Sequence, residues 1–223
     1  MYKYTRDIMV RFKQSSPRET WTVSEHEKLI RYLDLQNDVF SLLFEYQLLT
    51  GDRFETASAI MASDIDEENL KLYIHMHQIE AEVGSYRSFM VVDGTKGNSS
   101  SGKRDVPIVA ETLAVLKRAI SLNPSGTYVF EYKGNPVHPT TYRNHVYRIC
   151  KAVGVPYHNP HSSRSYVASE VNTGGNTGEM CDYFGWSDRS MPSRYGRNIN
   201  DGDSTFRKKL TKMTHRTTRT NLP

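Results

Sequence analysis

The chain carries its apolar residues in two rhythms, and the change from one to the other divides it. "TVSE", Thr22 to Glu25, has the form of a capping box, and Leu29, Ile30 and Leu33 follow at helical spacing. "DVFSLLFEYQLL" is apolar nearly all round, the mark of a central helix. A turn at Thr50-Gly51 then leads into another helix near Arg53. Beyond Asp66 the period shortens. "KLYIHMH", "YRSFMVVDG" and "KRDVPIV" are β-rich with partial alternation, and "GNSSSG" separates the last two as a flexible loop. Helical spacing returns in "AETLAVLKRAISLN" and in "HPTTYRNHVYRICKAVG", with Pro139 near its first turn. Another helix follows in "PHSSRSYVASEVNTGG", read as amphipathic, with Asn159 as cap, Pro160 as first residue and Gly174 as stop. Short helices are expected at "TGEMCDYFG" and "STFRKKLTKM".

These elements add up to an α+β fold, mostly helical, with a small three-stranded antiparallel sheet on its side. The expected division is a basic arm or linker over 1–20, one domain over 21–200, and a basic helix and tail over 201–223. No apolar run approaches membrane-spanning length, and the N-terminus lacks the apolar centre of a signal peptide. Cys150 and Cys181 have neither metal-ligand nor redox spacing, which fits a reduced compartment.

The net charge of +4 is modest, so its distribution matters more than its size. Arg207, Lys208, Lys209, Lys212, Arg216 and Arg219 run to the end with no acid among them, whereas much of the acid lies between Asp34 and Glu82. That asymmetry suits a polyanion and equally suits a solvated tail.

Several residues could carry chemistry. Arg53 follows the tight Thr-Gly turn beside very apolar surroundings and calls for an anion, either a carboxylate such as Glu55 or a phosphate. Lys96 stands in "DGTKGN", with Lys103 and Arg104 beyond the loop as substitutes. His161 and Arg164, three apart, open a helix whose free N–H groups favour an anion. Trp186 follows Gly185, and Tyr195 lies in the polar segment "SMPSRYGRN". "HMH", His75 to His77, reads as ordinary strand surface because no third ligand stands nearby.

In this order and spacing the residues resemble the catalytic domain of tyrosine recombinases, the phage integrase family. "TGDRFETASAIMASDID" resembles that family's Thr-Gly-x-Arg turn and acid-rich stretch. "TKGNSSSGKRDVPI" resembles its hairpin lysine ahead of a Val-Pro strand, "HSSR" its His-x-x-Arg pair, and "GW" its Gly-His or Gly-Trp dipeptide, with a tyrosine nine residues on. The likeness runs from about Trp21 to Gly196. Thr56 stands where the family often has glutamate, "RYGR" lacks a histidine after the tyrosine, and the usual N-terminal core-binding domain is missing.

The resemblance implies a site-specific recombinase that cuts and rejoins double-stranded DNA through a 3′-phosphotyrosine. It would work as a dimer or tetramer, without membrane, metal or other cofactor. A cytoplasmic, nucleoid-associated or mobile-element setting follows. Arg53 and Arg164 would neutralise the phosphate, since guanidinium forks stay charged at any working pH. Tyr195 would attack phosphorus, His161 would take its proton, Trp186 would stabilise the site, and Lys96 would protonate the leaving oxygen. Lys103, Arg104, Arg194, Arg197, Lys208 and Lys209 are expected to contact DNA phosphates. The last helix, through Phe206, Leu210 and Met213, packs either on a neighbouring subunit or on its own core. Rival readings are a type IB topoisomerase-like enzyme and a non-catalytic DNA-binding module.

Overall fold

Caps written into the sequence set the first two helices. In the computed structural model, which describes residues 20–83, 86–94, 103–172, 176–195 and 209–214, helix α1 spans Val23–Asp34. Thr22 Oγ1 accepts from Glu25 N at 3.3 Å, and Glu25 Oε2 accepts from Thr22 N at 2.8 Å, so both arms of the capping box are made. Helix α2, Val39–Thr50, starts at Asp38, whose carboxylate accepts from Phe40 N and Ser41 N, and stops at Gly51 in the left-handed region. All of α2 except Phe40 is buried. It is the central rod of the core.

Around α2 lie α1, α4 (Ala110–Leu122), α5 (Pro139–Val153) and α6 (Ser162–Val171). Trp21, Leu29, Leu33, Leu42, Phe44, Leu116, Val146 and Val167 meet there with no measurable exposure. Each such side chain contributes about 1.5–3 kcal/mol by leaving water. Short helices α3 (Phe54–Ala57) and α7 (Thr177–Phe184) flank the far ends of α2 and α6.

A three-stranded antiparallel sheet is present, in the order β1 (Ile65–Asp66), β2 (Lys71–Ile74), β5 (Arg104–Pro107), but its membership differs from expectation: Ile65–Asp66 takes the place of "YRSFMVVDG", which pairs elsewhere. Leu72 pairs with Val106, and both side chains face the core. The segment "KLYIHMH" does not form one strand. The chain leaves β2 at His75 and begins β3 (Met76–Val83), which pairs with β4 (Tyr86–Asp93) in a separate hairpin. Glu80 and Glu82 hide the second half of β3 from an alternation count, because a hairpin free of the core tolerates charge on its exposed face. A further pair, β6 (Glu131–Tyr132) and β7 (Asn135–Pro136), closes a tight turn ahead of α5.

Helix α6 departs from expectation twice. It begins at Ser162 rather than Pro160, because Ser162 N, Ser163 N and Arg164 N each bond three residues back and wind the entry tightly. It is also buried on nearly all sides rather than amphipathic. Serine and alanine make this tolerable, with Ser163 Oγ donating to Pro160 O and Ser169 Oγ to Tyr166 O. At the far end, residues 209–214 form a last helix whose Leu210 and Met213 join the chain's own core. Phe206 lies outside the described residues.

Candidate functional site

Gly51 makes the site possible. With φ +69° it ends α2, and a methyl group there would fall 3.0 Å from Val167 Cβ, 3.1 Å from Arg164 Cα and 3.2 Å from the Phe184 ring. Only glycine permits so close an approach. Its carbonyl accepts from Arg164 Nη1 at 3.3 Å, so the Thr50-Gly51-Asp52-Arg53 turn lies directly against α6. Arg53 caps α3 from the edge of this contact and is half-buried.

Arg164 is 1% exposed, extraordinary for a guanidinium. Its Nη2 donates to Phe184 O at the end of α7. Its Cζ lies 4.7 Å from the centre of the Phe184 ring and 5.3 Å from that of Trp186, and those two rings stack at 4.7 Å. Aromatic faces and carbonyl oxygens both favour the cation, so the charge is held where water does not reach. Gly185, at φ +61°, turns the chain from Phe184 to Trp186, which is buried and whose backbone N–H donates to Cys181 O. Together these groups make a floor of one arginine on two aromatic rings.

Asp52 and Arg104 flank it. Asp52 is buried, accepts from Tyr46 Oη at 2.8 Å, and faces Arg104 Nη2 at 3.8 Å. Arg104 Nε donates to Tyr183 O at 3.2 Å. Burial pushes the Tyr183 phenol far above its ordinary pKa; the Asp52 charge adds to this, and Arg104 and Arg164 partly offset it. Tyr46 and Tyr142 are likewise raised by burial. None of the three is a ready nucleophile.

His161 caps α6 and is exposed, its backbone N–H donating to Asn159 Oδ1 at 3.0 Å. It lines a cavity of about 270 Å³ with Phe54, Glu55, Tyr142, Arg143 and Asn159, so it opens beside the residues that follow Arg53. A neighbouring cavity of about 770 Å³ shares Glu55 and Arg143 and reaches His77 and Phe89 on the hairpin. The floor residues line neither opening.

Tyr195 closes a 3-10 turn, Met191–Tyr195, anchored by the bond from Asn172 Nδ2 to Pro192 O at 2.9 Å. Lys96, Arg197 and Lys208 lie outside the described residues. Lys103 pairs with Asp93 at 3.0 Å, across the ends of the segment that carries Lys96. Arg194 is exposed, 3.9 Å from Asp188. Two expected phosphate contacts sit differently: Arg104 is engaged inside the protein, and Lys209 is 8% exposed on the inner side of its helix, leaving Lys212 outward. The histidines of "HMH" are also not plain strand surface. His75 Nε2 meets Asp64 Oδ1 at 3.0 Å, and His77 Nδ1 meets Gly94 O at 2.8 Å, so both brace the hairpin's base.

Sequence reasoning missed Asp52 and Arg143. Asp52 stands inside the quoted "TGDR", but its partner Arg104 is remote in sequence. Arg143 had a signal, since α5 carries Arg143, Arg148 and Lys151 exposed and no acidic residue at all.

A family model described as the phage integrase family matches residues 20–201. The fold resembles that of the Tn1549 transposon integrase in complex with transposon right-end DNA, with TM-score 0.69 and 17% identity over 91% of this chain and 67% of that one. It also resembles XerA recombinase, with TM-score 0.62 and 18% identity over 92% of this chain and 65% of that one. A lambda integrase dimer bound to a COC′ core site gives TM-score 0.57 and 18% identity over 86% of this chain and 63% of that one. The chain thus spans roughly two thirds of each of these proteins. No curated protein sequence matches it. Among the described residues, no helix is long and apolar enough to cross a membrane.

Proposed function

Because the chain belongs to the phage integrase family, we propose that it is a site-specific DNA recombinase that cuts and rejoins strands through Tyr195. The observation that carries this reading is the bond between Arg164 and Gly51 O. It closes the Thr-Gly-Asp-Arg turn, which carries Arg53, onto the His-x-x-Arg helix, and this supports the reading.

Arg53 and Arg164 neutralise the non-bridging oxygens of the scissile phosphate as charge builds on them. Tyr195 Oη attacks phosphorus in line, and His161 takes the phenol proton. The bond from phosphorus to the 5′ oxygen breaks, and that oxygen leaves with a proton from Lys96. The 3′-phosphotyrosine keeps the bond energy, so a 5′-hydroxyl of another strand reverses the step and releases the phenol. Trp186 acts from below by holding Arg164. The exposed Arg143, Arg148 and Lys151 of α5, with Arg194 and Lys212, offer charge to the double-stranded backbone. Two or four copies meet on one DNA, in the cytoplasm beside the nucleoid. The topoisomerase-like and non-catalytic readings are not favoured by the family match.

The test is incubation with a nicked duplex carrying the recombination site, from which the cut end diffuses away. A protein–DNA adduct stable to denaturing electrophoresis is expected from the wild type and not from Tyr195→Phe, with duplex binding retained. An adduct formed by the phenylalanine variant overturns the assignment.

A further inference from the structure

The two openings share a pair of side chains of opposite charge, Glu55 of α3 and Arg143 of α5. Glu55 is half-buried and Arg143 exposed. Among the described residues neither side chain is spent on an ion pair or a hydrogen bond, and the two do not pair with each other. A third group is unspent. Gln78 of β3 lines the larger opening and is 3% exposed, and its Oε1 is buried with no partner among the described residues. Thr140, in the first turn of α5, stands in the same opening, and His161 lines the smaller one.

A buried amide oxygen without a donor is costly, so the cleft is complete only when something brings an N–H to it. Glu55 asks for the same thing, because a carboxylate is an acceptor only. Arg143 asks for the reverse, an acceptor or an anion. A phosphate meets the arginine and fails the other two: it offers no N–H, and its charge repels a carboxylate. The major-groove edge of a base pair meets all three. Guanine presents O6 and N7 to a guanidinium fork, and the amino groups of cytosine and adenine present N–H to a carboxylate or an amide oxygen. Arg148 and Lys151, the other exposed cations of α5, line neither opening, so attraction to the backbone has carriers apart from Arg143.

We infer that Arg143, Glu55 and Gln78 are specificity-determining residues that read base edges next to the scissile phosphate. Arg143 takes a guanine, and Glu55 and Gln78 accept from the amino groups of cytosine or adenine. This rests on the recombinase reading above, in which His161, in the smaller opening, stands at that phosphate. The carboxylate discriminates twice, by accepting from the right base and by repelling a strand that sets its phosphate there.

The test presents the protein with a duplex library carrying a randomised segment and sequences the molecules retained. The wild type is expected to enrich guanine at one fixed position and an amino-bearing base at another. Arg143→Lys keeps the charge and loses the fork, so it should cut the guanine enrichment by about 10-fold while the slope of affinity against salt is kept. Glu55→Gln puts an N–H where the acceptor was, so it should cut the enrichment at the other position by about 10-fold. Preferences left intact, with binding weakened or strengthened alike for every sequence, make both residues part of the general backbone field and overturn the inference. So does a guanidinium whose loss makes the salt slope shallower by about one, which puts it on a phosphate. Should Glu55→Gln fail to fold, the exposed Arg143 decides at its own position. The nicked-duplex adduct separates the two readings. An adduct from a wild type whose preferences neither variant alters leaves the recombinase reading standing and overturns this inference. Base preference without any adduct overturns the recombinase reading, and with it the placement of these bases at the cut.

Discussion

Two regions hold the positive charge of the proposed site, and they do so by opposite means. The floor, built from Gly51, Arg164, Phe184 and Trp186, is sealed: Arg164 is 1% exposed and is gripped by carbonyls and rings. The rim, with Lys103 at 40% and Arg194 at 65% side-chain exposure, is open and pairs loosely with Asp93 and Asp188. A charge in the floor is fixed before substrate arrives and is little screened, which suits stabilising a transition state. A charge on the rim is screened and mobile, which suits catching a polyanion. The same side-chain chemistry thus serves two ends according to burial. Arg104 stands between them, inward-facing on a rim strand.

Removing the floor's cation breaks the comparison most severely. Arg164→Ala should lower strand cleavage by at least ~100-fold, the range for loss of a transition-state donor, while duplex affinity falls far less. Single-turnover cleavage and a filter-binding isotherm separate the two. Comparable losses in both would make Arg164 a binding residue like those of the rim.

Stability comes next. Gly51→Ala forces a left-handed alanine and three contacts near 3 Å, so urea unfolding should report a loss of about 4 kcal/mol. A loss below ~1 kcal/mol would mean that α2 and α6 do not meet as described.

The smallest effect sharpens the comparison through pH. His26 stacks on Tyr166 of α6 at 4.1 Å and bonds Leu48 O, and burial depresses its pKa to about 4. Its neutral form is the folded one. An unfolded chain takes up the proton near pH 6.5, whereas the folded chain does so only near 4. The stability from this group is full above pH 6.5 and drains as pH falls through that window, by up to about 3 kcal/mol. Urea midpoints from pH 7 to 4 should therefore slope less steeply in His26→Gln than in the wild type. Identical slopes would remove His26 from the acid response.

The parts legible in the sequence are those fixed by neighbours along the chain. Thr22 and Glu25 make their capping box, Asp38 caps α2, and Gly185 ends α7, each through residues a few positions apart. The order of Arg53, His161, Arg164 and Trp186 was also readable, because the resemblance rests on local motifs. What escaped was set across long separations. Arg104 reads as a surface cation until Asp52 and Tyr183 come to it. Alternation carried "KLYIHMH" straight through His75, since nothing local marks the exchange of one sheet for another; Asp64, from the preceding turn, holds His75 at that corner. Lys209 reads as a phosphate contact because it stands in a basic run, yet Leu210 and Met213 beside it dock the helix on the core.

The most direct measurement isolates the covalent complex with nicked DNA, digests it, and identifies the peptide that carries the nucleotide by mass spectrometry. A phosphoryl link on Tyr195, in a peptide spanning "SRYGR", is the predicted result. Attachment to any other tyrosine, or no attached peptide from protein that binds the same duplex, would contradict the account.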